Sequence, residues 1–184
     1  MSKAVVFFAD GTEECEALLV IDLLRRAKVE VTVASAMGRK ELVSSHKIHL
    51  TADALAEDVD YSDVDLVVLP GGIPGTPNLA ANKTVTETCK TFAAAGKKVA
   101  AICAAPTILA NLGFLDRRRA VCYPGMEELM GSAVVQKGAP VVADGHIITG
   151  EAAGSSFPFG LKLVEVLKGA EAARQVCHAV HYHG

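Results

Sequence analysis

The sequence lacks any Pro/Gly/Ser-rich stretch or run of like charge that would divide its 184 residues into separate units. One domain is therefore expected, since a chain of this size can bury a substantial core by itself. It also lacks an apolar run long enough to cross a bilayer, and its N-terminus enters an apolar stretch without a basic region or a small-residue cleavage site. Those absences point to a cytoplasmic protein with no membrane partner. Positive charge is scarce: the net charge is -3, and the one basic run of three is Arg117, Arg118 and Arg119. No nucleic-acid surface is indicated, and the triplet reads as a solvated turn. Five cysteines (Cys15, Cys89, Cys103, Cys122, Cys177) occur in odd number without a CxxC pair, which argues against a disulfide framework and for free thiols.

What the chain does contain is apolar. Hydrophobic residues make up 51% and charged residues 21%, a balance that excludes disorder and suggests several fully buried strands. Runs rich in β-formers at 3–9, 29–34, 66–69 and 98–102 read as strands buried on both faces. Between the first two, Ala17, Val20, Ile21 and Leu24 recur at helical spacing over 13–27, with Thr12 placed to cap and Glu13, Glu14 and Glu16 suited to the positive end. A second helix is predicted over 84–95 with Gly96 as its stop, and a third from just after Cys103 to near Gly113. This alternation predicts right-handed crossovers and a mostly parallel, doubly wound α/β sheet whose sites form at the carboxyl ends of strands. A hairpin turning at Asp144 and Gly145 and two helices at 155–167 and 170–180, broken by Gly169, complete the expectation.

Three loops then carry the chemistry. At Ile102-Cys103-Ala104-Ala105-Pro106 a strand stops at cysteine and small residues lead into a helix, the shape of a nucleophile elbow. Such a turn exposes the thiol above the sheet, beside a helix N-terminus that favours thiolate. At Pro70-Gly71-Gly72 the paired glycines allow backbone NH groups to approach a ligand, so Gly71, Gly72 and the Ala104 NH are candidate donors to an oxyanion. In the entry to the first helix, Glu16 stands at the margin of the apolar face, where a desolvated carboxyl would exchange protons near neutrality. Spacing alone ranks an ordinary surface position for Glu16 slightly ahead.

The six histidines suggest no metal centre. Cys177 and His181 are spaced to share a helix face near His178 and His183, but the set sits at a chain end without a carboxylate. His46 and His49 fall in a polar stretch where surface positions are the default, and His46 remains only a candidate pocket residue.

In their order along the chain these loops resemble the ThiJ/PfpI superfamily, and within it the Parkinsonism-associated deglycase branch, over about residues 3–167. The matching motifs are Glu13-Glu14-Cys15-Glu16-Ala17, Leu23-Leu24-Arg25-Arg26-Ala27 before Val31-Thr32-Val33-Ala34, Val67-Val68-Leu69-Pro70-Gly71-Gly72, Ala101-Ile102-Cys103-Ala104-Ala105-Pro106 and Ala153-Gly154-Ser155-Ser156-Phe157. The resemblance implies a single-domain flavodoxin-like three-layer sandwich, homodimeric, without metal or organic cofactor. It implies Cys103 as the nucleophile, Glu16 as its hydrogen-bonded acid, and Gly72 and Ala104 as neighbouring donors. It further implies glutathione-independent conversion of methylglyoxal or glycated adducts to lactate. The alternative it carries is a cysteine-based oxidative-stress sensor or redox-regulated chaperone. Three departures stand out. Tyr123, another pocket candidate, occupies a position where several relatives have histidine; Ala104 replaces the histidine that follows the protease branch's cysteine; and Ala152-Ala153-Gly154 replaces the usual Gly-Pro-Gly.

Overall fold

The computed structural model describes residues 1–183. Its elements run β1 (Lys3–Phe8), α1 (Glu14–Arg26), β2 (Glu30–Ser35), β3 (Glu41–Val43), β4 (His49–Thr51), β5 (Ala54–Leu55) and β6 (Leu66–Leu69). Then follow α2 (Gly75–Ala81), α3 (Lys83–Ala94), β7 (Lys98–Ile102), α4 (Pro106–Asn111), β8 (Arg119–Ala120) and β9 (Val134–Val135). The chain closes with β10 (Val141–Asp144), β11 (Ile147–Gly150), α5 (Ser156–Lys168) and α6 (Ala170–Ala179).

Seven strands form the central sheet in the order β10-β11-β7-β6-β1-β2-β5, and only the edge strand β10 runs antiparallel. The period of two along β1 explains why helices cover both faces. Ala4, Val6 and Phe8 join one core with Val20, Leu24, Phe159 and Leu163, while Val5 and Phe7 join another with Val85, Phe92, Ile108 and Leu109. Each fully buried Phe or Leu contributes about 1.5–3 kcal/mol of transfer free energy. The α1 and α5 helices lie so close that a Cβ on Gly160 would meet Leu23 Cδ1 at 2.6 Å. Strand order reverses at β1, with β2 on one side and β6 on the other, so the carboxyl ends of the parallel strands β1, β6 and β7 open into one crevice.

The predicted doubly wound α/β domain is the fold observed, including the hairpin at Asp144 and Gly145 and the break at Gly169. Differences are local. Thr12 does not cap α1: its Oγ1 accepts the Ala9 NH, and Glu13 caps instead by accepting the Glu16 NH at 2.8 Å. The third helix starts at Pro106 rather than directly after Cys103, because the elbow uses Ala104 and Ala105 to turn. Helix α2 and the β3-β4 hairpin are additions. They are too short to carry a periodic signal and are held by distant partners, such as the Asn78 side chain donating to the Asp10 carbonyl. His181 lies beyond the end of α6, so it shares no helix face with Cys177, whose sulfur donates instead to the Tyr182 carbonyl.

Candidate active site

Cys103 stands at the end of β7 with φ 66°, a left-handed conformation that costs a non-glycine residue of order 1–3 kcal/mol. The surrounding strands hold it there. Its NH donates to the Gly150 carbonyl at 3.0 Å on neighbouring β11, and its carbonyl accepts the Tyr123 NH at 2.8 Å. Small residues follow because the chain must turn at once: the Ala105 NH reaches back to the Ile102 carbonyl at 3.1 Å before α4 begins. The sulfur is half-buried, and the Ala104 and Gly72 NH groups lie against it.

Helix α1 brings Glu16 to this thiol. The residue is completely buried, correcting the surface position that spacing favoured, because the end of β6 covers the first turn of α1. Glu16 Oε2 accepts the Gly71 NH at 2.8 Å, and Oε1 is buried without a hydrogen-bond partner. Gly71 can only be glycine here: an added Cβ would lie 2.6 Å from Cys103 Cβ and 2.7 Å from Glu16 Oε2. Its NH is engaged by Glu16 and is not free for an oxyanion, which leaves Gly72 and Ala104 as the donors. Gly72 has φ 93°, and a Cβ there would strike the Glu13 nitrogen and the Gly11 oxygen, each at 2.4 Å.

Burial pushes the Glu16 carboxyl up to about 7, against the sulfur contact and the Gly71 NH, with the Glu13 charge adding to the rise. Burial likewise pushes the Cys103 thiol up to about 12, and the neighbouring Glu16 carboxylate raises it further, against the Ala104 and Gly72 NH groups. The helix-terminus effect expected to favour thiolate is therefore outweighed while Glu16 is ionised. The two groups form one unit: a proton on the carboxyl relieves the sulfur, and a thiol proton has a buried acceptor beside it.

The two remaining pocket candidates are more exposed than Cys103 and Glu16. Tyr123 is tied to Cys103 through its backbone NH, and the residue is 46% exposed. His46 is exposed on the α1 side, with Nδ1 at 2.8 Å from Glu14 Oε1 and 3.9 Å from Glu13 Oε1. These three residues are a group the sequence did not reveal, with donor atoms all within 4.8 Å of one another. Burial pushes Glu14 up, but backbone NH groups, including that of His46, and the Ser44 and Ser45 hydroxyls bring it down to about 2. The Ser45 hydroxyl and the His46 NH both donate to Glu14 Oε2. A groove of about 720 Å³ between α3 and the segment before β6, lined by Tyr61, Thr88 and Phe92, contains no residue of the Cys103 site.

The fold and the elbow define a flavodoxin-like α/β protein with a cysteine at the strand-to-helix turn beside a buried carboxyl. The chain belongs to the DJ-1/PfpI family, whose model matches residues 2–166. It is 37% identical over 177 residues to Parkinson disease protein 7 homolog of Danio rerio, covering 95% of this chain and 94% of that one. Protein DJ-1 homolog B of Arabidopsis thaliana is 37% identical over 175 residues, and this chain spans only 40% of its length. A protein of Caenorhabditis elegans named glutathione-independent glyoxalase is 28% identical over 170 residues, covering 92% of this chain and 90% of that one. Among solved structures, oxidized DJ-1 of Toxoplasma gondii superposes with a TM-score of 0.95 at 34% identity, covering all of both chains.

Proposed function

We propose that this protein is a cofactor-independent glyoxalase or deglycase acting on a small 2-oxoaldehyde such as methylglyoxal, or on its adducts. The observation that carries the reading is Glu16: completely buried, anchored by Gly71 through one oxygen, unpartnered at the other, and poised near neutrality beside Cys103. A base is most effective when its pKa lies near the working pH.

The Cys103 sulfur attacks the aldehyde carbon as Glu16 takes the thiol proton, forming a hemithioacetal whose oxyanion meets the Gly72 and Ala104 NH groups. Glu16 returns that proton to the oxyanion and, ionised again, carries a proton from the former aldehyde carbon to the ketone carbon through an enediol. The first carbon is oxidised to a thioester and the second reduced to an alcohol, so no external redox partner is needed. Water cleaves the thioester, releasing a 2-hydroxy acid and restoring the thiol. The name of the Caenorhabditis elegans relative supports this reading.

The test is methylglyoxal consumption without added thiol. Wild type should form lactate and Cys103→Ala should not; equal rates would remove the proposal.

A second reading, a cysteine-based oxidative-stress sensor or chaperone, is favoured by the same NH groups, which could hold a sulfinate formed on Cys103. Selective peroxide oxidation of Cys103 with negligible turnover would support it instead. A cytoplasmic location is part of this proposal, and the five free cysteines fit a reducing compartment. Exposed Leu18, one turn beyond Glu14 on α1, and exposed Ile48 offer apolar surface for a homodimer, to be measured by sedimentation equilibrium.

A further inference from the structure

Glu13, Gly71 and Glu16 close a ring of hydrogen bonds. The Glu13 NH donates to the Gly71 carbonyl at 3.0 Å, the Gly71 NH to Glu16 Oε2 at 2.8 Å, and the Glu16 NH to Glu13 Oε2 at 2.8 Å. Each residue gives one NH and accepts one bond, so displacing any member pulls on the others. Gly71 and Glu16 both border the thiol: a Cβ on Gly71 would lie 2.6 Å from Cys103 Cβ, and the Glu16 carboxyl contacts the sulfur. Glu13 is the remaining member, and its side chain is 15% exposed.

Capping α1 does not by itself call for a glutamate. Short side chains such as Ser, Thr, Asp and Asn fill this place in most helices. Adjacent Thr12 is engaged elsewhere, its hydroxyl accepting the Ala9 NH at 3.0 Å. Capping accounts for Oε2 of Glu13 but leaves its charge without a purpose. Facing Glu16 are the Cys103 thiol from the end of β7, the Gly71 NH from the end of β6 and, as the charged group acting on it among the described residues, Glu13. Facing Glu13 are His46 of the turn between β3 and β4, with Nδ1 at 3.9 Å from Oε1, and the Cys15 thiol of α1. A negative charge beside a buried carboxyl disfavours ionisation of that carboxyl.

We propose that Glu13 is a positioning residue of the Cys103 site, its carboxyl fixing where the Glu16 carboxyl stands and its negative charge favouring the protonated form of Glu16. For turnover this rests on the glyoxalase reading; the effect on Glu16 itself does not. Through the hydrogen bond, Glu13 sets how closely the acid/base approaches the sulfur. Through its charge, it sets the pH at which that base becomes free to accept a proton.

The test separates shape from charge with variants of the full chain. Glu13→Gln keeps an oxygen for the Glu16 NH and removes the charge, whereas Glu13→Ala removes both. Titration of Glu16 is followed by carbon-13 NMR of its side-chain carboxyl, assigned by the signal missing from Glu16→Gln. In Glu13→Gln the Glu16 midpoint should fall below that of wild type by about half a pH unit or more. The rising limb of methylglyoxal turnover should move to lower pH with it, while the plateau stays within about twofold of wild type. Glu13→Ala should lose at least about tenfold from the plateau, because the Glu16 carboxyl is no longer held in place. The shift caused by Gln should persist in a His46→Gln background; its loss there would assign the effect to the His46 contact and overturn the proposal. An unmoved midpoint in Glu13→Gln, or a wild-type plateau in Glu13→Ala, also overturns it. Should Glu13→Ala fail to fold, the midpoint in Glu13→Gln decides alone. The NMR titration needs no turnover, which separates the two failures: a lowered midpoint without methylglyoxal consumption removes only the glyoxalase reading, and turnover with an unmoved midpoint removes only the role of Glu13.

Discussion

Oε2 of Glu16 accepts the Gly71 NH at 2.8 Å, so one carboxyl oxygen is anchored while the other, buried beside Cys103, has no hydrogen-bond partner. The two residues lie 55 positions apart, joined by the adjacency of α1 and the end of β6. An oriented carboxyl with an open oxygen is what proton transfer to and from a neighbouring sulfur requires.

Turnover of methylglyoxal should therefore rise with pH through about 7, as Glu16 loses its proton and becomes able to accept that of the thiol. Glu16→Gln should lower kcat by about a hundredfold or more, and Glu16→Asp should also be impaired by withdrawal of the carboxyl. Measured kcat/KM against pH decides: a flat wild-type profile, or a Gln variant with wild-type kcat, removes Glu16 from the mechanism.

The same carboxyl should cost stability. Below the ordinary carboxyl value of 4.5 both folded and unfolded chains hold the Glu16 proton, and there is no penalty. Between 4.5 and about 7 the folded state retains a proton that the unfolded chain has lost, so stability falls as pH rises through that window. The full cost above it is about 3 kcal/mol. Urea unfolding should find Glu16→Gln more stable than wild type by up to that amount near pH 8 and little different near pH 4.5. An equal difference at both pH values would contradict the assignment.

Glu16→Gln should also make Cys103 a better nucleophile toward simple reagents while abolishing turnover. After burial, the carboxylate's charge is the next cause holding the thiol up, and glutamine removes it. Iodoacetamide should label Cys103 of the variant faster than that of wild type near pH 8. Slower labelling would mean that the carboxyl activates the sulfur as a base even toward these reagents.

Gly71→Ala should place a methyl 2.6 Å from Cys103 Cβ, 2.7 Å from Glu16 Oε2 and 3.0 Å from the Ile102 carbonyl oxygen, so the thiol and the carboxyl must both shift. A destabilisation of about 1–3 kcal/mol and at least about a tenfold loss of turnover are expected. Gly154→Ala, with nothing within 4 Å of its new Cβ, is the control. Equal behaviour of the two variants in thermal melts and in kcat would show that the close approach at Gly71 has no consequence.

Dialysis against a chelator should leave turnover unchanged, since each proposed step uses a thiol, a carboxyl or a backbone NH. Loss of activity restored by zinc would instead bring Glu13, Glu14 and His46 into the mechanism.

The strands and long helices were legible because their information is local. Apolar runs such as 66–69, the spacing of Ala17, Val20, Ile21 and Leu24, and the stops at Gly96 and Gly169 each lie within a few residues. The elbow at Cys103 was legible for the same reason, as strand, cysteine and small residues are contiguous. Local spacing could not decide which Glu side chain enters the core. Glu13, Glu14 and Glu16 are neighbours in sequence, yet one caps α1, one pairs with His46 across 32 positions, and one is buried against Gly71. Only the crossover that lays the end of β6 over the first turn of α1 desolvates Glu16, and desolvation is what moves its titration to neutrality.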